Sequence, residues 1–302
     1  MRYLSTRGHG HASHLGFTDI ILEGLAPDGG LFLPDSYPTA PSAVTAVFAG
    51  LLTKVGIYAI IRTQTLLFPP ESRPSTLILV LAGATMVVGV LGAIAQDDVK
   101  RILSFHIVSH VGFMVMGLGF FTVAGLGGAV FYIVHHIVVM TTLFLTGGLI
   151  EHVGGSSRLS RVGGLVTGAP VVAVLFLVPA LSLAGVPPFS GFVAKLGLLQ
   201  AGVSASHGVI VGVALVVSLL TLFSMMKIWS AVFWGEKPSE PAVSLGTAPP
   251  LMVAPTLVLA VVSLVIAVSA GPLHDLGVRA ATGLLDPHEY LEAVRQPEGL
   301  AR

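Results

Sequence analysis

The sequence predicts an all-α fold, a polytopic membrane helix bundle of about seven transmembrane helices, one of them broken. Hydrophobic residues make up 54% of the chain, charged residues only 10%, and the mean hydropathy is +0.90. Soluble domains usually carry about 25% charged residues, so this chain has too few charges to cover a water-facing surface. Within lipid, its apolar runs must be helices because the backbone has to satisfy its own hydrogen bonds.

Seven segments after Pro41 are apolar enough to cross the hydrocarbon layer, which takes about 20 residues of helix. They are predicted at 42–63, 76–95, 102–122, 125–150, 165–203, 207–233 and 250–271. The chain is thereby divided into an N-terminal segment (1–38), a transmembrane domain (39–273) and a polar C-terminal tail (274–302).

The fifth segment is too long for one straight span, and Gly185–Gly191 (GVPPFSG) interrupts it. Proline removes a backbone donor and breaks a helix. Broken helices at membrane depth occur where the freed backbone lines a cavity or packs against protein, often at a transport site. The alternative is two short helices joined by a surface loop.

Composition excludes several functional classes. The net charge is zero without a basic block, so nucleic acid is not a predicted partner. The chain has no cysteine, which removes disulfides and thiolate metal sites. The first residues lack the apolar core of a signal peptide. No cofactor is predicted.

The distribution of basic residues predicts the orientation in the membrane. Lys100, Arg101, Arg158 and Arg161 lie in two connections that fall on the same side as the N-terminus, whereas the opposite short loops carry only Arg73. Because basic loops stay in the cytoplasm, the N-terminus is predicted to be cytoplasmic and the C-terminus outside a cell membrane.

Lys54 lies in the middle of the first predicted span. A lysine at the centre of a membrane helix costs about 2.5–3.5 kcal/mol on insertion scales. Burial disfavours the charged form of an amine, which makes proton uptake and release possible. The alternative is a lysine whose side chain reaches the interface, but Lys54 is far from both ends of the span.

Lys195 follows the proline break by a few residues. An ammonium group beside unwound backbone carbonyls is suited to a gate or a terminal proton station. From position alone, a helix-end lysine that reaches water is an equally good interpretation.

Four histidines lie in the interior of the predicted spans. His106 and His110 are four residues apart and share one face of a helix, whereas the adjacent His135 and His136 point about 100° apart. Imidazole titrates near neutral pH and can pass protons. His-x-x-x-His could also bind a metal, but no third ligand is evident and no metal site is predicted. The alternative role for each is a hydrogen-bonded histidine in a helix bundle.

Two further lysines lie near helix ends. Lys100 belongs to a charged loop and is a possible proton inlet, although a solvated turn explains it as well. Lys227 stands beside Trp229 and Trp234, which resemble an interfacial aromatic belt, so its side chain is expected to extend to the interface.

Several of these residues lie in motifs that resemble the D subunit of multisubunit Na+/H+ (Mrp-type) antiporters. The matching stretches are TAPSAVTA at 39–46, GLLTKVGIY at 50–58, QDDVKRILSFH at 96–106, YIVHH at 132–136 and GVPPFSGFVAK at 185–195. The same fold occurs in the proton-pumping membrane subunits of NADH–quinone oxidoreductase. The resemblance covers about residues 34–302.

The resemblance implies roles for the residues inside those motifs. Lys54 would be the family's central lysine, Lys195 the lysine of its broken helix, and His135 or His136 the relay between them. The chain would contain the second of the family's two inverted repeats but only the last helix of the first, so the glutamate and lysine pair of the first repeat is missing. Met140 stands where relatives commonly have lysine.

The N-terminal segment resembles a different family. Met1–Gly8 (MRYLSTRG) and Gly24–Pro34 (GLAPDGGLFLP) look like the start of threonine synthase, a pyridoxal-phosphate enzyme. No Schiff-base lysine or phosphate-binding glycine loop follows, so a chimeric join near residue 34 is expected, with residues 1–38 poorly ordered.

The preferred hypothesis is a membrane subunit of a cation/proton antiporter, not an enzyme. Its expected partners are the other subunits of the complex, the lipid bilayer, protons and Na+. Lys54, His135, His136 and Lys195 would form the proton path, with Lys100, His106 and His110 as further members. The alternatives are a truncated or chimeric subunit that does not transport, and a threonine synthase fragment, which the apolar spans argue against.

Overall fold

The computed structural model describes residues 3–5, 32–34, 42–236 and 247–286. The transmembrane part is all-α, as predicted. Its helices in chain order are α1 Ser42–Val47, α2 Thr53–Leu67, α3 Ser75–Ala95, α4 Val99–Gly119, α5 Val123–Gly154, α6 Leu165–Gly168, α7 Pro170–Ala184, α8 Ser190–Ser204, α9 Gly208–Trp229, α10 Pro250–Val268 and α11 Ala270–Leu285. Two π-helical segments, Phe48–Leu52 and Ser230–Trp234, link α1 to α2 and extend α9.

Six helices in the described part of the chain are long and apolar enough to cross a membrane. They are Val44–Leu67, Ser75–Ala95, Val99–Gly119, Val123–Gly154, Gly208–Trp234 and Pro250–Val268. The fifth predicted segment is the broken element and adds to these six helices. It is broken because Gly185 ends α7 in a left-handed conformation (φ 87°) and the next helix, α8, begins at Ser190.

Local signals in the sequence explain where these helices begin and end. The Asp98 side chain accepts a hydrogen bond from the Arg101 backbone N–H and caps the start of α4. Thr122 caps α5 in the same way through Gly125 N–H, and Gly155 ends α5 with a φ of 73°. These caps shift both helices by a few residues from the predicted limits of 102–122 and 125–150.

The 32-residue helix α5 is the centre of the bundle. It packs against α1, α4, α7, α8, α10 and α11. Tyr132, His135, His136 and Met140 are fully buried along it. Because α5 touches both halves of the broken helix and four further helices, its side chains can connect parts of the molecule that are distant in sequence.

The predicted polar tail is wrong in part, because helix α11 extends to Leu285 beyond the boundary at residue 273. Gly277 lies against Gly127 of α5, where an added Cβ would meet the Gly127 carbonyl oxygen at 2.7 Å, and Ala281 is fully buried. Small residues four apart allow this close helix contact. The polar residues around them, His274, Asp275 and Arg279, concealed the buried face.

Most of the predicted N-terminal segment lies outside the described residues. Within it, Tyr3–Ser5 and Phe32–Pro34 pair as two short antiparallel strands, with Leu4 opposite Leu33. The resemblance to threonine synthase and the expected disorder of residues 1–38 therefore stay predictions.

Candidate functional site

Lys54 lies in the first turn of α2, directly after the π-helical segment Phe48–Leu52. Its side chain is buried, with 3% of its surface exposed. The Nζ donates to the Ala49 carbonyl at 2.7 Å and contacts Thr53 Oγ1 at 3.1 Å. The ammonium group is therefore held by oxygens of its own helix rather than extending to the interface.

The π-helical segment is held against α5. Gly50 is buried there, and a Cβ at this position would overlap the Thr141 hydroxyl. Single π-helical turns inside α-helices occur frequently at functional sites. The close contact fixes the backbone that supplies the acceptor of Lys54.

Lys195 lies on α8 and reaches back across the break. Its Nζ donates to the Ala184 carbonyl at the end of α7 over 2.9 Å and lies 5.1 Å from the centre of the Phe113 ring. The C-terminal carbonyls of a helix carry partial negative charge and attract a cation. This is the contact with freed backbone carbonyls that the proline break predicts.

The four predicted histidines are all fully buried, and three of them form one series of ring contacts. The ring of His110 lies 5.9 Å from that of His106 and 5.1 Å from that of His136. Tyr132 lies between the helices, with its ring 5.7 Å from His135 and its hydroxyl hydrogen-bonded to His110 Nδ1. The structure thus brings together side chains that the sequence placed on two separate helices.

Hydroxyl groups bind some of these rings. His106 Nε2 hydrogen-bonds with Ser224 of α9, and His135 Nδ1 with Ser190 of α8, each over 2.9 Å. The other nitrogen of each ring, Nε2 of His110 and both nitrogens of His136 have no hydrogen-bond partner among the described residues. Buried nitrogens of this kind can accept or donate a proton once a partner reaches them.

The surroundings of Lys100 and Lys227 differ from those of Lys54 and Lys195. Lys100 is buried and forms an ion pair of 2.5 Å with the half-exposed Glu151. The Lys227 Nζ donates to the carbonyls of Ile94 and Gln96 at 3.0 and 2.6 Å. It caps the end of α3, whose last carbonyls lack partners within the helix. The expected extension of Lys227 to the interface stays a prediction.

The serines and Tyr132 were missed by sequence reasoning. Ser190 lies in the motif at 185–195, whose prolines and lysine are its conspicuous residues. Ser224 is one hydroxyl in an apolar span, and no sequence pattern distinguishes it from a serine without a role. Their roles follow from contacts between helices that the sequence does not display. Within the described residues, no hydrogen bond or ring contact joins Lys54 directly to the histidines.

Comparisons with known proteins identify the family. Residues 30–221 match the family described as NADH:quinone oxidoreductase/Mrp antiporter, TM. The chain is 46% identical over 282 residues to the D subunit of the Na(+)/H(+) antiporter of Alkalihalophilus pseudofirmus, covering 91% of this chain and 57% of that protein.

Solved structures of related complexes contain the same fold. A chain of the Mrp complex from Dietzia sp. DQ12-45-1b matches with a TM-score of 0.79 at 38% identity, over 85% of this chain and 56% of the other. A chain of respiratory complex I from Thermus thermophilus matches with a TM-score of 0.64 at 26% identity, over 79% and 52%. The chain spans somewhat more than half the length of these relatives, and it belongs to the NADH:quinone oxidoreductase/Mrp antiporter transmembrane family.

Proposed function

We propose that this chain is a membrane subunit of a multisubunit cation/proton antiporter and carries part of its proton path. The observation that carries the proposal is the series of buried, contacting imidazoles on α4 and α5, beside a broken helix whose lysine is also buried. The name of the Alkalihalophilus pseudofirmus relative supports Na+ as the exchanged cation and other antiporter subunits as partners.

The path would run through Lys54, His135, His136 and Lys195, with His106 and His110 as further stations. Neither lysine has an acidic partner in the described part of the chain, so each can release a proton without leaving an unpaired carboxylate behind. Lys100 differs, because its ion pair with Glu151 links the bundle to a half-exposed carboxylate and suits an inlet. The proposed activity is transport, with no chemical conversion of a substrate.

Complementation tests this function. A bacterial strain that lacks the D subunit of its antiporter is expected to regain growth in high sodium at alkaline pH when this chain is expressed. Lys54→Ala should abolish the rescue, whereas Val55→Ala, next to it on the exposed side of α2, should not. Immunoblots of membranes must show equal amounts of all three proteins.

The alternative is a subunit that does not transport. It predicts no rescue by the unsubstituted chain, even when the chain is present in the membrane and assembled with its partners. Rescue that survives Lys54→Ala would instead remove Lys54 from the path.

The proposed location is the cell membrane, with the N-terminus and the loops at 96–98 and 155–161 in the cytoplasm. These loops lie together, since Val99 N–H donates to Ser157 O and Leu159 N–H to Asp97 O. Because the chain has no cysteine, single substitutions can report the side of the membrane. A membrane-impermeant maleimide on whole cells should label Ser72→Cys and leave Ser160→Cys unlabelled; the reverse pattern would invert the orientation.

A further inference from the structure

The Ser190 hydroxyl joins four helices at one buried point. It lies 2.9 Å from His135 Nδ1 on α5, 2.9 Å from Ser182 Oγ on α7 and 3.5 Å from Ser263 Oγ on α10. Ser190 itself begins α8, immediately after the break. All four side chains are at most 1% exposed.

The hydrogen bonds in this group depend on one another, because each hydroxyl has only one proton to donate. A serine hydroxyl donates one hydrogen bond and accepts up to two. If His135 Nδ1 carries a proton, it donates to Ser190, and the Ser190 proton must point to Ser182 or Ser263. If Nδ1 is bare, Ser190 donates to it, and Ser182 or Ser263 can donate to Ser190. The state of the His135 ring therefore sets the direction of hydrogen bonds on both sides of the break.

The backbone holds Ser190 in this place. At the following residue, Gly191, an added Cβ would overlap the Ser182 carbonyl, so the start of α8 lies directly against the end of α7. Such close contact leaves the hydroxyl little freedom to move away from its three neighbours. Ser190 is thus fixed by packing, while its hydrogen remains free to rotate.

We propose that Ser190 is a positioning residue that orients His135 and links its protonation state to the broken helix. The hydrogen bond at one imidazole nitrogen determines which nitrogen carries the proton. With Nδ1 engaged by Ser190, Nε2 is the nitrogen that exchanges protons, and it is buried without a partner among the described residues. This inference rests on the proposed transport function.

The first experiment compares Ser190→Ala with Ser190→Thr in sodium-dependent proton flux of membrane vesicles from the complemented strain. Loss of a group that orients a metal-ligating histidine typically costs about 10- to 100-fold in activity, and the lower end of that range is the guide here. A loss of this size is expected for Ser190→Ala, with recovery in Ser190→Thr, which keeps the hydroxyl. Ser218→Ala is the matched control, because its hydroxyl donates within α9, to Ala214 O.

A second measurement does not require transport. Nitrogen-15 NMR of histidine-labelled protein, with the His135 signal assigned by its loss in His135→Gln, reports which ring nitrogen is protonated. Ser190→Ala should shift this tautomer balance, while Ser218→Ala should not.

Unchanged flux together with an unchanged His135 signal in Ser190→Ala would overturn the inference. The proposed function would still stand if Lys54→Ala remained inactive. If the unsubstituted chain supports no transport, the proposed function fails and the NMR comparison alone decides the orienting role of Ser190. A Ser190→Thr protein that behaves like Ser190→Ala in both measurements would also count against the hydroxyl.

Discussion

Lys54 and Lys195 lie in two regions that hold a buried ammonium group in related ways. In each region a helix loses its regular form, through the π-helical segment Phe48–Leu52 in one and the break between α7 and α8 in the other. In each, the lysine donates to a backbone carbonyl, of Ala49 at 2.7 Å or of Ala184 at 2.9 Å. A carbonyl beside an irregular turn can accept this additional bond, because it has two lone pairs.

The two regions differ in how far each lysine is, in sequence, from the residues that bind it. Both acceptors of Lys54 lie within the five residues before it in the chain, so this site depends mainly on one helix. Lys195 bonds across the break and lies over Phe113 of α4, so its site depends on the packing of three helices. Substitutions near Lys54 should therefore change the stability of the protein little, whereas substitutions near Lys195 should lower it by disturbing the packing of three helices.

The largest expected effect comes from replacing either lysine by arginine. Arginine keeps the positive charge but cannot be deprotonated in proteins, so a proton station is lost. Lys54→Arg and Lys195→Arg should each abolish sodium-dependent proton flux in membrane vesicles. Only Lys195→Arg should also reduce the amount of protein in the membrane, because the larger group must fit against Phe113 and Gly185. Flux above half of the unsubstituted level in either variant would show that charge alone suffices there.

A smaller effect is expected on thermal stability, which should decrease by different amounts when a glycine of each irregular region is replaced by alanine. A Cβ at Gly191 would meet the backbone of Ser182, which cannot move aside, whereas one at Gly50 would meet the Thr141 hydroxyl, which can rotate. Overpacking typically costs about 1–3 kcal/mol. Gly191→Ala should therefore lower the thermal unfolding temperature in detergent, followed by tryptophan fluorescence, more than Gly50→Ala does.

Matched controls are available for both substitutions. Gly197→Ala lies in the same helix as Gly191 with no atom near the added carbon, so it should be neutral or slightly stabilising. Adding Thr141→Ala to Gly50→Ala should restore part of the lost stability. Equal losses at Gly50 and Gly191 would contradict the distinction between the two regions.

The smallest expected effect is at the second acceptor of Lys54. Thr53→Val removes the contact of 3.1 Å with the ammonium group but leaves the Ala49 carbonyl in place. A single hydrogen bond contributes roughly 1 kcal/mol. If about half of that free energy is lost in Thr53→Val, flux should decrease two- to threefold. Thr53→Ser keeps the hydroxyl and should leave the flux unchanged. A complete loss would mean that Thr53 has a role of its own in the path.

Much of this architecture could be predicted from the sequence. Apolar runs located the spans, because lipid leaves the backbone no alternative to helices, and GVPPFSG located the break. Lys54 and Lys195 were apparent as single charges in apolar surroundings. Helix α11 was not, because its buried face consists of small residues between polar ones.

The partners of these residues could not be predicted. The contacts of His135 with Ser190 and of His106 with Ser224 join residues 55 and 118 positions apart. A serine within an apolar span produces no periodic pattern in the sequence. Its hydrogen-bond partner depends on which helix lies against it. The carbonyl acceptors of Lys227 were hidden for the same reason, since they belong to a neighbouring helix.

The neutral carbonyl partners of Lys54 and Lys195 have a consequence for the speed of the proposed transport cycle. When an ammonium group paired with a carboxylate releases its proton, the remaining anion must be compensated, so the surroundings have to reorganise. A neutral amine can still donate to the same carbonyl, and one packing arrangement serves both states. Each lysine could then be charged and discharged repeatedly without mechanical work from the helices around it.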